Sequence, residues 1–133
     1  MLSIDSPLPF GLKPEAIARI NAVFACYPQV QRAILYGSRA KGTQQNGSDI
    51  DITLQGESLT LAQLLKIENE LDDLLLPYKI DLSLLDHIEN PELIAHIQRV
   101  EKEFYASLWQ TYRLWKIALM PALNFPSKVK ITI

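Results

Sequence analysis

The chain has 133 residues, 48% of them hydrophobic and 21% charged, a composition that suits one globular domain and excludes disordered and collagen-like classes. The single Cys26 leaves no disulfide framework and points to a reducing, cytoplasmic home; no apolar run is long enough to cross a bilayer, and Asp5 with the early prolines does not read as a signal peptide. Beneath a net charge of −2, residues 1–103 carry 9 basic and 15 acidic side chains while residues 104–133 carry 4 basic and none acidic, so the body lacks the footprint of a broad nucleic-acid binder.

In chain order, residues 13–27 predict a helix, with Pro14 in its first turn and Ile17, Ile20 and Phe24 on one face. Ala33-Ile34-Leu35-Tyr36 reads as a buried strand that ends at Gly37. The polar run 43–48 is turn chemistry, with Asn46-Gly47 its strongest signal. Residues 49–54 then alternate Asp49, Asp51 and Thr53 against Ile50, Ile52 and Leu54, the period of a second strand.

Residues 60–77 predict the clearest helix. Thr60 and Gln63 have capping-box spacing, Leu61, Leu64, Leu65, Leu71, Leu74 and Leu75 mark the apolar face, and Pro77 stops it. A third strand over 78–85 alternates Ile80, Leu82 and Leu84 against Lys79, Asp81 and Ser83. Asn90 and Pro91 open a further helix that carries Leu93, Ile97, Val100 and Phe104 inward. The alternation predicts an α/β (α+β) domain built on a small mixed β-sheet packed with helices, spanning 1–103. Residues 104–133 read as an aromatic-rich extension: Phe104, Tyr105, Leu108, Trp109, Tyr112, Trp115 and Leu119 recur at helical spacing, then Pro121 and Pro126 break the pattern and 128–133 suits a short strand or an unstructured end.

Aspartates at alternate strand positions need a reason, because strands avoid aspartate. Two residues apart on one face, Asp49 and Asp51 stand roughly 6.6 Å apart and repel by about 2.5 kcal/mol at an effective dielectric of about 20. A divalent cation reverses that sign. Asp81 offers a third carboxylate on another strand, and three hard oxygen donors suit Mg2+ or Mn2+ better than zinc. A solvated strand face, or an edge protected against aggregation, reads equally well from the pair alone.

The Gly37-Ser38 turn ahead of the pair tips the balance. Backbone amides at such a turn make an anion seat, with Arg39 and Lys41 adding local positive charge, and an anion seat beside a metal site suits a nucleoside triphosphate. A P-loop is excluded: Gly37 and Gly42 have its spacing, but Thr43 and Gln44 stand where its lysine and hydroxyl residue belong. Neither His87 nor His96 has a ligand-like partner at short spacing, so both read as surface or helix residues.

Leu35-Tyr36-Gly37-Ser38, then Asp49-Ile50-Asp51-Ile52, then Ile80-Asp81-Leu82 resemble the signature of the DNA polymerase beta-like nucleotidyltransferase superfamily, and the stretch 37–52 most resembles its minimal nucleotidyltransferases, the MNT antitoxins paired with HEPN-domain ribonuclease toxins. The resemblance covers roughly residues 13–104. It implies a polymerase beta-like nucleotidyltransferase fold, a triphosphate held by Gly37 and Ser38 with Arg39 and Lys41 as phosphate neighbours, metals held by Asp49, Asp51 and Asp81, and these three aspartates as catalytic residues. It implies in-line attack on the α-phosphorus of ATP, with AMP passing to a tyrosine of the HEPN toxin. The 30 or so residues after Glu103 are too few for a substrate domain, so another polypeptide must hold the acceptor, in a homo- or hetero-oligomer. Two further readings compete: a non-catalytic antitoxin that masks its toxin through the aromatic stripe, and a nucleotidyltransferase acting on a small, antibiotic-like hydroxyl compound or the end of an RNA.

Overall fold

The computed structural model describes residues 8–108 and Lys116. Its ordered elements are α1 (Pro14–Ala25), β1 (Arg32–Tyr36), α2 (Gly37–Lys41), β2 (Ile50–Gln55), α3 (Leu61–Asp72), β3 (Ile80–Leu84), α4 (Pro91–Val100) and β4 (Lys102–Ala106), with 3-10 turns at Pro9–Gly11 and Leu85–His87. The four strands form one mixed sheet in the order β3-β2-β1-β4. β1 runs antiparallel to β2 and β4, and β2 runs parallel to β3. The expected α/β architecture on a small mixed sheet is therefore what the chain adopts. Among the described residues no helix is long and apolar enough to cross a membrane.

The strand alternation decides which face is core. Ile50, Ile52 and Leu54 of β2 join Leu35 of β1, Leu82 and Leu84 of β3 and Phe104 of β4 on one side, covered by α1 and α3. Ile20, Phe24 and Ile67 fill that layer from the helices and are fully buried, each contributing about 1.5–3 kcal/mol by leaving water. The opposite face is covered more sparsely, by α4, whose Ile97 packs on Ile34 and Tyr36. That half-covered face carries Asp51, Asp81 and Ser83.

Side-chain caps anchor α3 and α4, one on each face of the sheet. The Thr60 side chain accepts the Gln63 amide at 3.2 Å and the Gln63 side chain accepts the Thr60 amide at 3.0 Å, the expected capping box. Asn90 Oδ1 accepts the Glu92 amide at 2.9 Å, and Pro91 fills the first helical position of α4.

Several expectations change. The helix expected over 60–77 stops at Asp72, because the chain must reverse to enter the parallel strand β3; Leu75 takes a left-handed conformation (φ 53°) and stands exposed. Its buried stripe is Leu64, Ile67 and Leu71, while Leu61 and Leu65 face solvent: a leucine-rich helix offers more than one apolar stripe, and packing against α1 and β3 selects one. The strand expected over 49–54 begins at Ile50, so Asp49 sits just ahead of it.

Phe104 and Tyr105, expected at helical spacing, lie in β4. The α4 C-cap Glu101 is extended (φ −52°, ψ 137°), and the chain goes straight into pairing with β1. A register shift between Ala33 and Ile34 leaves Phe104 unpaired, and both aromatics reach the α1 side: Phe104 meets Phe10 at 5.9 Å and Tyr105 meets Phe24 at 5.7 Å between ring centroids. The sheet thus runs across the expected 103/104 boundary. The rest of the aromatic stripe, with Trp109, Tyr112, Trp115 and Leu119, and the segment 128–133 lie outside the described residues.

Candidate active site

The site is built where β1 gives way to α2. Tyr36 is still extended, and Gly37 then turns the chain at φ 74°. A Cβ on Gly37 would run into the Asp51 carboxylate, so glycine is required here by both the backbone and the neighbouring side chain. The amides that open α2, those of Ser38 and Arg39, have no partner within the helix. Gly42 (φ 79°) closes the five-residue helix, and the Thr43 amide donates to the Ser38 carbonyl at 2.9 Å.

Strand register brings the carboxylates together. Asp51 is paired with Tyr36 across the antiparallel β1–β2 ladder and with Asp81 across the parallel β2–β3 ladder. Side chains opposite each other in adjacent strands share a face, so both carboxylates emerge beside the Gly37-Ser38 turn. Asp51 is half-buried, whereas Asp81 on the edge strand and Asp49 ahead of β2 are exposed. Burial pushes the Asp51 carboxyl above its ordinary range, and the charges of Asp81 and then Asp49 push it further, against smaller opposing effects of His96 and Arg39. Burial also raises the Tyr36 phenol, against a lowering interaction with the Ser83 hydroxyl and with the Asp81 and Asp51 charges adding to the rise. Among the described residues, no group of three His, Cys, Asp or Glu side chains closes into a ready-made metal cage.

Arg39 differs from its expected place as a phosphate neighbour. It is buried, its Nε and Nη2 donate to the Ser48 carbonyl at 3.1 and 2.8 Å, and its Nη1 donates to the Phe10 carbonyl at 2.9 Å. The guanidinium also lies over the Tyr78 ring, 5.0 Å from its centroid. Arg39 thus ties the 43–48 loop to the N-terminal segment. Lys41 remains exposed at the end of α2.

His96 is a neighbour the sequence did not reveal. From α4 its Nε2 accepts the Gly37 amide at 3.2 Å, and its ring meets Tyr36 edge-on at 6.3 Å and 80°. No local spacing links residues 59 positions apart; only the packing of α4 over β1 and α2 does.

Taken together, a turn with free amides faces two register-paired carboxylates whose mutual repulsion is only partly offset by His96 and Arg39. Such a face can bind a polyphosphate through the amides and a hard cation through the oxygens. The family model for Polymerase beta, Nucleotidyltransferase matches residues 18–107. Two proteins of Methanocaldococcus jannaschii that carry the name protein adenylyltransferase are each 39% identical to the chain over 71 residues, 53% of this chain and 71% of theirs. Among solved structures, a crystal structure of a toxin–antitoxin with AMP-PNP matches at a TM-score of 0.55 and 19% identity, covering 85% of this chain and 97% of the other. A structure of tri-AMPylated Shewanella oneidensis HEPN toxin in complex with MNT antitoxin matches at a TM-score of 0.54 and 16% identity, with coverage of 85% and 97%. At those identities the two structures establish the fold that the chain shares with them.

Proposed function

This chain belongs to the Polymerase beta nucleotidyltransferase family and is a nucleotidyltransferase, and from that premise we propose that it transfers AMP from ATP, with Mg2+ or Mn2+, to a tyrosine hydroxyl of a HEPN-domain toxin as the antitoxin of the pair. The observation that carries the proposal is the parallel register of Asp51 with Asp81, next to a glycine turn that the Asp51 carboxylate touches.

The residues fit a divalent cation. Asp51, Asp81 and Asp49 offer hard oxygen donors, and the Asp51 carboxyl, pushed up first by burial and then by the Asp81 and Asp49 charges, stands where a cation would relieve the repulsion. Magnesium is commonly held by one or two carboxylates together with substrate phosphates, so a preformed cage of protein ligands is not required. When bound, the cation neutralises triphosphate charge and polarises the reacting phosphoryl oxygens.

The chain itself positions the reactants. Ser38, through its amide and hydroxyl, and the Arg39 amide bind the β- and γ-phosphates, and Lys41 adds positive charge at the end of the same helix. The Arg39 side chain acts by bracing the loop that leads to Asp49. Asp81 stands exposed on the edge strand β3, which leaves the acceptor room to approach from outside the sheet. The acceptor oxygen forms a bond to the α-phosphorus, the bond from that phosphorus to the bridging oxygen breaks, and pyrophosphate leaves. Asp81 takes the acceptor's proton.

The test is to incubate the protein with ATP, Mg2+ and a HEPN-domain partner and weigh the partner. A nucleotide-sized gain that disappears in Asp49→Asn is expected. If the wild type adds no mass, or if Asp49→Asn adds as much as the wild type, transfer by this site is refuted.

A further inference from the structure

The turn that opens α2 is the least constrained part of the site by its own chemistry. Gly37 has no side chain, sits at a positive φ, and its amide has no partner within α2. The N-cap Tyr36 makes no side-chain cap to the helix. Left alone, such a turn would pay conformational entropy each time it closed on a ligand.

The structure supplies the missing cap from 59 residues away. His96 Nε2 accepts the Gly37 amide at 3.2 Å. The ring is itself held edge-on against Tyr36, the residue before the turn, and the next residue of α4, Ile97, is buried against β1. An imidazole nitrogen that accepts a hydrogen bond carries no proton, so in the neutral ring the proton resides on Nδ1. The Gly37 amide is therefore spent on the protein, which leaves the amides of Ser38 and Arg39 for a ligand.

We infer that His96 is the positioning residue of the phosphate turn: it pins Gly37 from α4 and so sets the spacing between the Ser38 amide and the Asp51 carboxylate. This rests on the nucleotidyltransferase reading of the site. It adds a residue that lies outside the glycine-serine and aspartate motifs and that acts through backbone geometry rather than by touching the nucleotide.

Three variants decide the matter. His96→Phe keeps a ring against Tyr36 but removes the acceptor, and His96→Gln restores an acceptor oxygen; His96→Leu repeats the deletion if the phenylalanine variant fails to fold. Amide hydrogen exchange at Gly37 is expected to rise about fivefold or more in His96→Phe and to return toward the wild-type rate in His96→Gln. Calorimetric affinity for ATP with Mg2+ is expected to fall about fivefold in the first and to recover in the second, at similar melting temperatures. A purely structural histidine would instead lower the melting temperature without rescue by glutamine. Unchanged Gly37 exchange together with wild-type ATP affinity in His96→Phe overturns the assignment. Failure of the wild type to bind ATP overturns the functional reading instead, and the Gly37 exchange rates still report whether His96 holds the turn.

Discussion

Replacing Asp51 by Asn is expected to make the nucleotide-free protein more stable while it disables the site. Asp51 and Asp81 are direct partners in a parallel ladder, and adjacent strands lie about 4.8 Å apart. Two unit charges at that separation repel by about 0.9 kcal/mol in bulk water and about 3.5 kcal/mol at an effective dielectric of about 20. Asp81 is exposed and Asp51 half-buried, so solvent screening puts the relief at about 1–2 kcal/mol. For a domain of this size that is a rise in melting temperature of about 3–8 °C. Asp81→Asn should give a similar gain, and the double variant less than the sum, because both changes remove the same repulsion.

The pH dependence follows from the direction of the Asp51 shift. Burial first, and then Asp81 and Asp49, raise its folded pKa above the ordinary value of 3.8. The folded state then holds the proton more tightly than the unfolded chain, so stability falls as pH rises through the window between that ordinary value and the raised one. The advantage of Asp51→Asn should therefore be complete above the window and vanish below it. Thermal melts of metal-free protein from about pH 3 to 8 measure this. A variant that melts at or below the wild type at neutral pH, or that keeps its advantage in acid, refutes the reasoning. Adding ATP with Mg2+ should reverse the order, because only the wild type gains binding energy.

Gly37→Ala should cost about 1–2 kcal/mol for the left-handed backbone alone, with a further cost because its Cβ collides with the Asp51 carboxylate; urea denaturation and ATP titration should both register it, and a neutral result would mean the turn is not built as described. Arg39→Lys should destabilise by about 2–3 kcal/mol, since one ammonium cannot serve the Ser48 and Phe10 carbonyls in the geometry of a guanidinium fork. Faster hydrogen exchange in the 43–48 loop would accompany it, and a lysine variant as stable and as protected as the wild type would show that the clamp carries no weight.

Local patterns carry local information, and the sequence was legible wherever that sufficed. The alternation in β2 and β3 revealed which residues share a face, the capping box and Asn90-Pro91 marked where α3 and α4 begin, and Gly37-Ser38 marked the turn. The family resemblance rested on the turn and the two aspartate-bearing strands among these, and the matched residues 18–107 contain all of these stretches. Elsewhere local signals were ambiguous. Two leucine stripes competed in α3, and Phe104 with Tyr105 fitted a helix as well as the bulged strand they occupy.

By itself, then, the sequence determined the kinds of elements as far as α4, the starts of α3 and α4, and the chemistry available at Gly37, Ser38, Asp49, Asp51 and Asp81, because period, capping and side-chain type are properties of neighbouring residues. Only the tertiary structure decided that Asp51 stands in register with Asp81, that Arg39 braces a loop, and that His96 reaches Gly37. The Asp51–Asp81, Arg39–Phe10 and His96–Gly37 contacts join segments about 30 to 60 residues apart, and their geometry is set by how helices pack on a sheet, which short-range spacing does not encode.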